Sequence, residues 1–99
     1  MGIIKKSNQG RFLVSGVLTF ATVTKVFANS KNLFKDAPDH LVIDLTEVER
    51  ADSAGLALLV EWLAVATHLN RTLTFEHVPE QLTTLASMCS VDKILFSIQ

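Results

Sequence analysis

The sequence is poor in the residues that cross-link a chain or bind metals. Cys89 is the only cysteine among 99 residues, so the chain cannot form a disulfide bond within itself. The three histidines, His40, His68 and His77, lie in separate segments and lack the spacing of a zinc site. We therefore expect surface histidines, no metal site and, from the single free cysteine, a reducing compartment.

Charge of one sign and long apolar runs are also scarce. The net charge is −1 and no basic stripe is present, which argues against nucleic acid as the main partner. Even an apolar run as long as any in the chain, Leu56–Val60, is far shorter than the roughly 20 residues that span a bilayer. The segment Met1–Lys6 is too short and too polar for a signal peptide. These features predict a soluble, cytoplasmic protein without direct membrane insertion.

Motifs for catalysis are missing as well. The chain has no glycine-rich phosphate loop with its lysine, and no nucleophile has an evident base partner. Asp44, Glu47, Glu49 and Asp52 form a local acidic patch, for which a solvated loop is favoured over a metal or acid–base site. The sequence therefore predicts no catalytic residue and no cofactor, and it favours a binding module.

The residues that are present suit one small α/β domain over residues 1–99. Hydrophobic residues make up 48% of the chain, which is enough for a packed core. The patterns predict the order ββαβαβαβ, a mixed β-sheet flanked by helices. Gly2–Lys5 is expected at a sheet edge, and Ile94–Ile98 as a last short strand or a docked tail. Cys89 is expected in the core because it shares a helix face with Leu82.

The stretch Leu41–Leu69 organises the rest of the chain. The apolar run Leu41–Leu45 predicts a buried strand, Thr46–Arg50 a polar turn, and a long helix runs from about Ser53 to Asn70. The helix has two apolar stripes on opposite sides, and a helix that lies on a sheet needs only one. The second stripe, with Leu58, Trp62, Val65 and Leu69, must meet either a neighbouring helix or a partner protein.

Ser53 stands at the start of this helix. Asp52 or Ser53 can cap the free N–H groups, which is a purely structural role. A phosphate on Ser53 would also be stabilised by those N–H groups and by the partial positive charge of the helix start. The small residues Ala54 and Gly55 leave the hydroxyl accessible. Capping and regulation by phosphorylation of Ser53 both remain open.

Three segments together resemble the STAS domain, the fold of bacterial anti-sigma factor antagonists and of sulfate-transporter tails. They are the strand Leu41–Leu45, the helix entry Ala51–Leu56 and the earlier Ser15–Thr19. The motif Asp-Ser-x-Gly-Leu after a strand that ends in Ile-Asp-Leu is fairly specific for this fold. In the antagonists the matching serine is phosphorylated, so the resemblance implies an anti-sigma kinase as one candidate partner of Ser53.

A narrower resemblance involves Ala57–Leu63, Leu73–Phe75, Val78–Pro79 and the following residues up to Ala86. These segments resemble the MlaB family, the small cytoplasmic STAS subunits of the Mla phospholipid ABC transporter in Gram-negative bacteria. The resemblance implies a non-catalytic accessory subunit that binds an MlaF-like ATPase and helps to keep outer-membrane lipids asymmetric. The chain departs from the family pattern at Met88–Ser90, where a small-residue turn with glycine is expected.

The resemblance and the second apolar stripe predict that the first part of the long helix meets the partner. The expected partner-binding residues are Asp52, Ser53, Ala54, Gly55, Leu56, Ala57, Leu58, Glu61 and Trp62. An anti-sigma factor antagonist regulated through Ser53 is the alternative. A lipid-carrying domain is disfavoured, because a filled core of this size leaves little room for an acyl chain.

Overall fold

A computed structural model describes residues 1–96, which form four strands and four helices. In chain order these are β1 (Gly2–Asn8), β2 (Arg11–Leu18), α1 (Val23–Phe34), β3 (His40–Ala51), α2 (Ser53–His68), β4 (Thr72–Glu76), α3 (Glu80–Met88) and α4 (Asp92–Phe96). The strands form one sheet in the order β1-β2-β3-β4, antiparallel between β1 and β2 and parallel elsewhere. The predicted mixed sheet with flanking helices is confirmed. Among the described helices, none is both long and apolar enough to cross a membrane.

The hairpin of β1 and β2 closes at Gly10. This glycine has a φ of +76°, and a Cβ placed there would lie 2.9 Å from the carbonyl oxygen of His40. Glycine adopts such a conformation at little cost. The carbonyl of Gly10 also accepts a hydrogen bond from the N–H of Val42 at 2.8 Å, so the turn helps to set β2 beside β3. As predicted, β1 lies at the edge of the sheet.

The predicted turn at Thr46–Arg50 is wrong, because β3 continues without interruption to Ala51. Its second half pairs with the second half of β2, from Ser15 opposite Glu47 to Leu18 opposite Ala51. Two register shifts adjust this pairing. The polar residues in this half mark a solvent-exposed stretch of strand, and their composition resembles that of a turn.

The second apolar stripe of α2 packs against α1 at its central position. Trp62 has no exposed surface, and its Nε1–H donates a hydrogen bond to Ser30 Oγ at 2.8 Å. Its ring meets Phe34 edge-on, with 6.3 Å between the centroids. A neighbouring helix therefore covers this part of the stripe. The expectation that Trp62 meets a partner is corrected, since its side chain lies in the core.

Two expectations about the C-terminal part are also corrected. Of the two alternatives for Ile94–Ile98, a last short strand or a docked tail, the strand is not formed by the described residues, which fold as α4. Ile98 itself lies outside the described residues. Leu95 is buried and the ring of Phe96 packs edge-on against Phe75, so this segment is held by side-chain packing instead of strand pairing. Cys89, the C-cap of α3, is exposed and does not lie in the core.

The end of α3 explains how the chain turns without the glycine that the resemblance leads one to expect. Ser90 takes the left-handed conformation, with a φ of +61°. The N–H of Ser90 donates to the carbonyl of Ser87 at 3.1 Å, and that of Val91 to the carbonyl of Ala86 at 2.9 Å. This pair of bonds is the Schellman arrangement, in which glycine is usual at the left-handed position. Serine fills that position here.

Candidate partner-binding site

The start of α2 is fixed by the carboxylate of Asp52. Its Oδ1 accepts hydrogen bonds from the N–H of Ala54 at 2.8 Å and of Gly55 at 3.3 Å. Of the two candidates, Asp52 is therefore the residue that caps the helix, and Ser53 is the first helical residue. Ser53 is exposed, and its Oγ makes no hydrogen bond to any of residues 1–96. The hydroxyl is free to contact another molecule.

Asp52 also ties the loop between β2 and α1 to the start of α2. Its Oδ2 accepts a hydrogen bond from the N–H of Phe20 at 3.4 Å, and its own N–H donates to the carbonyl of Leu18 at 3.1 Å. Within the loop, Thr22 Oγ1 donates to the carbonyl of Val17 at 2.6 Å and accepts from the N–H of Thr19. The loop is thus held at both ends.

Phe20 projects from this loop with 87% of its surface exposed. Phe20 is not among the residues that the sequence patterns indicate as a site. One feature of the sequence could have indicated it: Phe20 is a large apolar residue in a short turn of threonine and alanine, and it belongs to no apolar stripe. Its place beside the start of α2 depends on the contact with Asp52, which lies 32 residues further along the chain.

A shallow groove of about 240 Å³ opens between α1 and α2. The residues that line it are Val23, Thr24, Phe27, Ala54, Ala57, Leu58 and Glu61. Most of these side chains are apolar, and the alanines of α2 leave room between the helices. The Nζ of Lys31 lies 4.9 Å from the centroid of the Phe27 ring at the α1 side. Ser53 directly precedes Ala54, the first groove residue of α2.

The structure divides the nine predicted partner-binding residues into two groups. Five have accessible surface: Asp52 and Ala54 are half-buried, and Ser53, Ala57 and Glu61 are exposed. The other four are buried: Gly55, Leu56, Leu58 and Trp62. The expectation that all nine side chains meet a partner is therefore corrected for Gly55, Leu56 and Trp62, which pack α2 onto the rest of the protein. Leu58 is only 4% exposed, but it lines the groove.

The predicted acidic patch does not form a single cluster. Asp44 instead joins residues at the end of β4, where ligand-type atoms of Asp44, Glu76 and His77 lie within 4.8 Å of one another. Glu76 Oε1 accepts from Arg11 at 2.6 Å, and Asp44 Oδ1 lies 3.1 Å from His77 Nδ1. Each carboxylate thus has a protein partner. The histidines are exposed, as predicted.

The surroundings of Asp44 lower its pKa. Burial acts to raise the pKa, but hydrogen bonds from the hydroxyl and the N–H of Thr46, at 2.5 and 2.9 Å, stabilise the charged form. His77 adds a further hydrogen bond and an attractive charge. The net direction is downward from the ordinary value of 3.8. The ionised form of Asp44 is therefore the one that the fold stabilises.

We expect the stabilisation by Asp44 to be lost in acid. Because the folded pKa lies below the unfolded one, the contribution is present above pH 3.8 and disappears as the pH falls through the lowered pKa. The free-energy difference between wild type and Asp44→Asn, measured by urea unfolding, should be larger at about pH 6 than at about pH 3. Glu49→Gln, in the same strand, is the control. Equal differences at both pH values for Asp44→Asn would contradict this prediction.

Comparison with known proteins gives one family. The family model described as "Mlab, STAS domain" matches residues 1–97. A search of curated proteins finds no match.

Solved structures share the fold at low sequence identity. The unphosphorylated anti-sigma factor antagonist SpoIIAA has a TM-score of 0.66 and 12% identity, covering 89% of this chain and 83% of that chain. A sulfate transporter family protein from Wolinella succinogenes has a TM-score of 0.70 and 15% identity, covering 92% and 75%. A protein named Mglu has a TM-score of 0.60 and 20% identity, covering 81% of this chain and 20% of that chain. At these identities the likeness shows the fold alone.

The family match and the fold agree with the resemblance found in the sequence. STAS domains are generally non-catalytic domains for regulation or interaction, and their partners include kinases and transporter domains. Since the match covers nearly the whole length, this chain belongs to the STAS family described as "Mlab, STAS domain".

Proposed function

We propose that the protein is a non-catalytic accessory subunit that binds and supports the ATPase of a phospholipid-transport ABC system. The partner is an MlaF-like ATPase, and the system maintains outer-membrane lipid asymmetry. The protein then acts in the cytoplasm, held at the inner membrane only through its partner. The observation that carries the proposal is the capped, accessible start of α2, with a free Ser53 hydroxyl, in a chain that matches the family model described as "Mlab, STAS domain".

The geometry at this surface favours binding over chemistry. Asp52 uses both carboxylate oxygens to hold α2 and the preceding loop, so the surface is ordered before a partner arrives. An ordered surface loses less conformational entropy on binding. The small side chains of Ala54 and Ala57 allow another backbone to approach α2 closely. These features support a docking role for the first two turns of the helix.

The first test is co-purification of the ATPase with a Ser53→Lys variant. We expect binding to fall by about tenfold or more, because a long charged side chain would stand between the two surfaces and would lose its hydration on docking. Ser53 is exposed, so the fold should be retained, and circular dichroism verifies this. An MlaF-like ATPase from the same cell is the partner to use.

Thr67→Lys is the matched control for this test. It places the same side chain on the exposed surface of α2 near its other end. We expect its binding to stay within about twofold of wild type, as is usual for surface substitutions away from an interface. Wild-type binding by Ser53→Lys would contradict the proposed surface. Absence of ATPase binding by the wild-type protein would contradict the proposed function itself.

An anti-sigma factor antagonist regulated by phosphorylation of Ser53 is the second candidate. The exposed hydroxyl at the first helical position and the shared fold with SpoIIAA favour it. Incubation with kinases from the same cell, followed by mass spectrometry, discriminates the two functions. The antagonist function predicts a phosphate on Ser53 that is absent from Ser53→Ala, whereas the transporter function predicts none.

A further inference from the structure

We propose that Asp44, Glu76 and His77 bind one divalent transition-metal ion of the Zn²⁺ class, with water completing its coordination. The spacing of the three histidines in the sequence indicates no such site, but the fold brings one of them beside carboxylates from two strands. We call these three residues the His–carboxylate cluster. Binding of the ion goes beyond the proposed function and needs no ATPase, since the cluster is complete in the free protein.

Pairing of β3 with β4 places two carboxylates side by side. Asp44 lies opposite Glu76 in the parallel register of the two strands, and His77 follows Glu76 in the chain. Like charges at facing positions of neighbouring strands repel each other. Arg11 forms an ion pair with Glu76 and balances one of the two negative charges. A cation bound between the carboxylates would balance the other charge and remove the repulsion.

The distances within the cluster suit a single ion. Two ligand atoms on one Zn²⁺, each about 2.0–2.2 Å from it, lie roughly 3–3.5 Å apart. Asp44 Oδ1 and His77 Nδ1 are 3.1 Å apart, so these two side chains already have that separation. One ligand atom from each of the three residues lies within 4.8 Å of the other two. A shift of the Glu76 side chain by about 1 Å would therefore complete the set.

Each residue of the cluster also keeps a ligand atom that no protein group occupies. The hydrogen bonds of Asp44 with Thr46 and His77 all go to Oδ1, and the ion pair of Glu76 with Arg11 uses Oε1. Asp44 Oδ2, Glu76 Oε2 and His77 Nε2 make no hydrogen bond within the part of the chain that the structure describes. The imidazole of His77 is largely exposed, so an ion and its water ligands can enter from solvent. Thr46 and Arg11 then orient the two carboxylates, as hydrogen-bonding neighbours of metal ligands do.

The donor atoms select the class of metal. An imidazole nitrogen together with carboxylate oxygens suits Zn²⁺ and its neighbours in the first transition row, whereas Mg²⁺ and Ca²⁺ prefer oxygen ligands alone. Zn²⁺ takes at least four ligands, so three protein ligands leave a position for water. Zn²⁺ alone is therefore the probe for this site, and Mg²⁺ is the ion whose binding should not depend on His77.

Titration calorimetry with zinc chloride tests the cluster on the free protein. The parent for all measurements is Cys89→Ser without a histidine tag, because an exposed thiol also binds Zn²⁺. We expect the parent to bind one ion per chain. His77→Gln should weaken binding by about tenfold or more, because loss of a ligand costs at least as much as loss of a group that orients one. His77 is exposed, so this variant should keep its fold, which circular dichroism verifies.

The other two histidines provide matched controls. His40→Gln and His68→Gln remove exposed imidazoles that lie outside the cluster. Each should bind Zn²⁺ within about twofold of the parent. Asp44→Asn and Glu47→Gln form a second matched pair in β3, of which only Asp44→Asn should weaken binding.

Thermal unfolding gives an independent readout. An ion that binds only the folded protein raises its melting temperature by mass action. Zn²⁺ should therefore raise the melting temperature of the parent but not that of His77→Gln. Mg²⁺ at the same concentration should shift both proteins equally or not at all.

The outcomes keep the metal site separate from the proposed function. If the parent does not bind Zn²⁺, the metal site is overturned. Equal binding by the parent and His77→Gln, or an equal loss on removal of His40 or His68, would mean an adventitious ion only and would also overturn it. None of these measurements contains the ATPase, so failure of the metal site leaves the proposed function standing. Failure of the protein to bind the ATPase would likewise leave the metal site standing.

Discussion

Replacement of Trp62 by alanine is expected to destabilise the protein by about 3–5 kcal/mol, the range for loss of a large aromatic side chain from a core. Trp62 extends from α2 towards α1 and is fully buried, and its ring packs edge-on against Phe34. Alanine would leave a cavity there, and Ser30 would lose a hydrogen-bond partner. A small domain has only about 5–15 kcal/mol of stability, so much of it would be lost.

Urea unfolding followed by circular dichroism measures this loss, because Trp62 is the only tryptophan and the variant lacks its fluorescence. Trp62→Phe is the graded control, since it keeps an aromatic ring but removes the Nε1–H donor. Trp62→Phe should lower the free energy of unfolding by less than Trp62→Ala does. Ser30→Ala tests the hydrogen bond from the other side, and an unpaired buried donor costs about 1–3 kcal/mol. A loss below about 1 kcal/mol for Trp62→Ala would contradict the packing described above.

The Trp62 variants also separate a core role from a partner-binding role. Because Trp62 has no exposed surface, Trp62→Phe should bind the ATPase like wild type under conditions in which both proteins are folded. A direct interface tryptophan would instead lose affinity while the fold was unchanged. The comparison therefore tests whether Trp62 packs in the core or contacts the partner.

Periodicity was sufficient to predict most elements of the fold. The helix expected from about Ser53 to Asn70 is observed as α2, Ser53–His68, and the strand expected to begin at Leu41 begins at His40. The second half of β3 was missed for a physical reason. Glu47, Glu49 and Arg50 have the composition of a turn, but β2 is long enough to pair with them. Strand pairing over this distance is a tertiary effect that local composition does not contain.

The two stripes of α2 show a similar limit. The sequence indicates that the stripe with Leu58 and Trp62 must be covered, but not by what. The covering element is α1, through Ser30 and Phe34 on its buried side. Both residues lie about 30 positions away in the chain, and nothing in the spacing of α2 predicts how the two helices cross.

The candidate site was predicted in part for the same reason. The local motif at Asp52 and Ser53 was enough to place a cap and an accessible hydroxyl at a helix start. The groove and the exposed Phe20 are created when α1 and its preceding loop pack beside α2. These features depend on contacts between separate segments, so a pattern within either segment does not show them.

Replacement of Gly55 by valine is expected to disturb both the fold and the site. A Cβ at this position would lie 2.7 Å from the carbonyl oxygen of Leu18 and 3.2 Å from the Cβ of Ala51. The start of α2 must then move away from the end of β2. Such overpacking costs about 1–3 kcal/mol, and the bulk of valine favours the upper part of that range. Replacing a glycine within a helix raises the free energy of unfolding by only about 0.5–1 kcal/mol, which does not offset this cost.

The same movement would separate groups that build the candidate partner-binding site at the start of α2. Asp52 holds α2 and the loop only while its N–H reaches Leu18 and its carboxylate reaches Phe20. We therefore expect Gly55→Val to lose about 2 kcal/mol in urea unfolding and to bind the ATPase more weakly even where it is folded. Ala64→Val, at an exposed position of α2, measures the cost of valine in the helix without the close contact. A Gly55→Val variant as stable as wild type would contradict the close approach of α2 to β2.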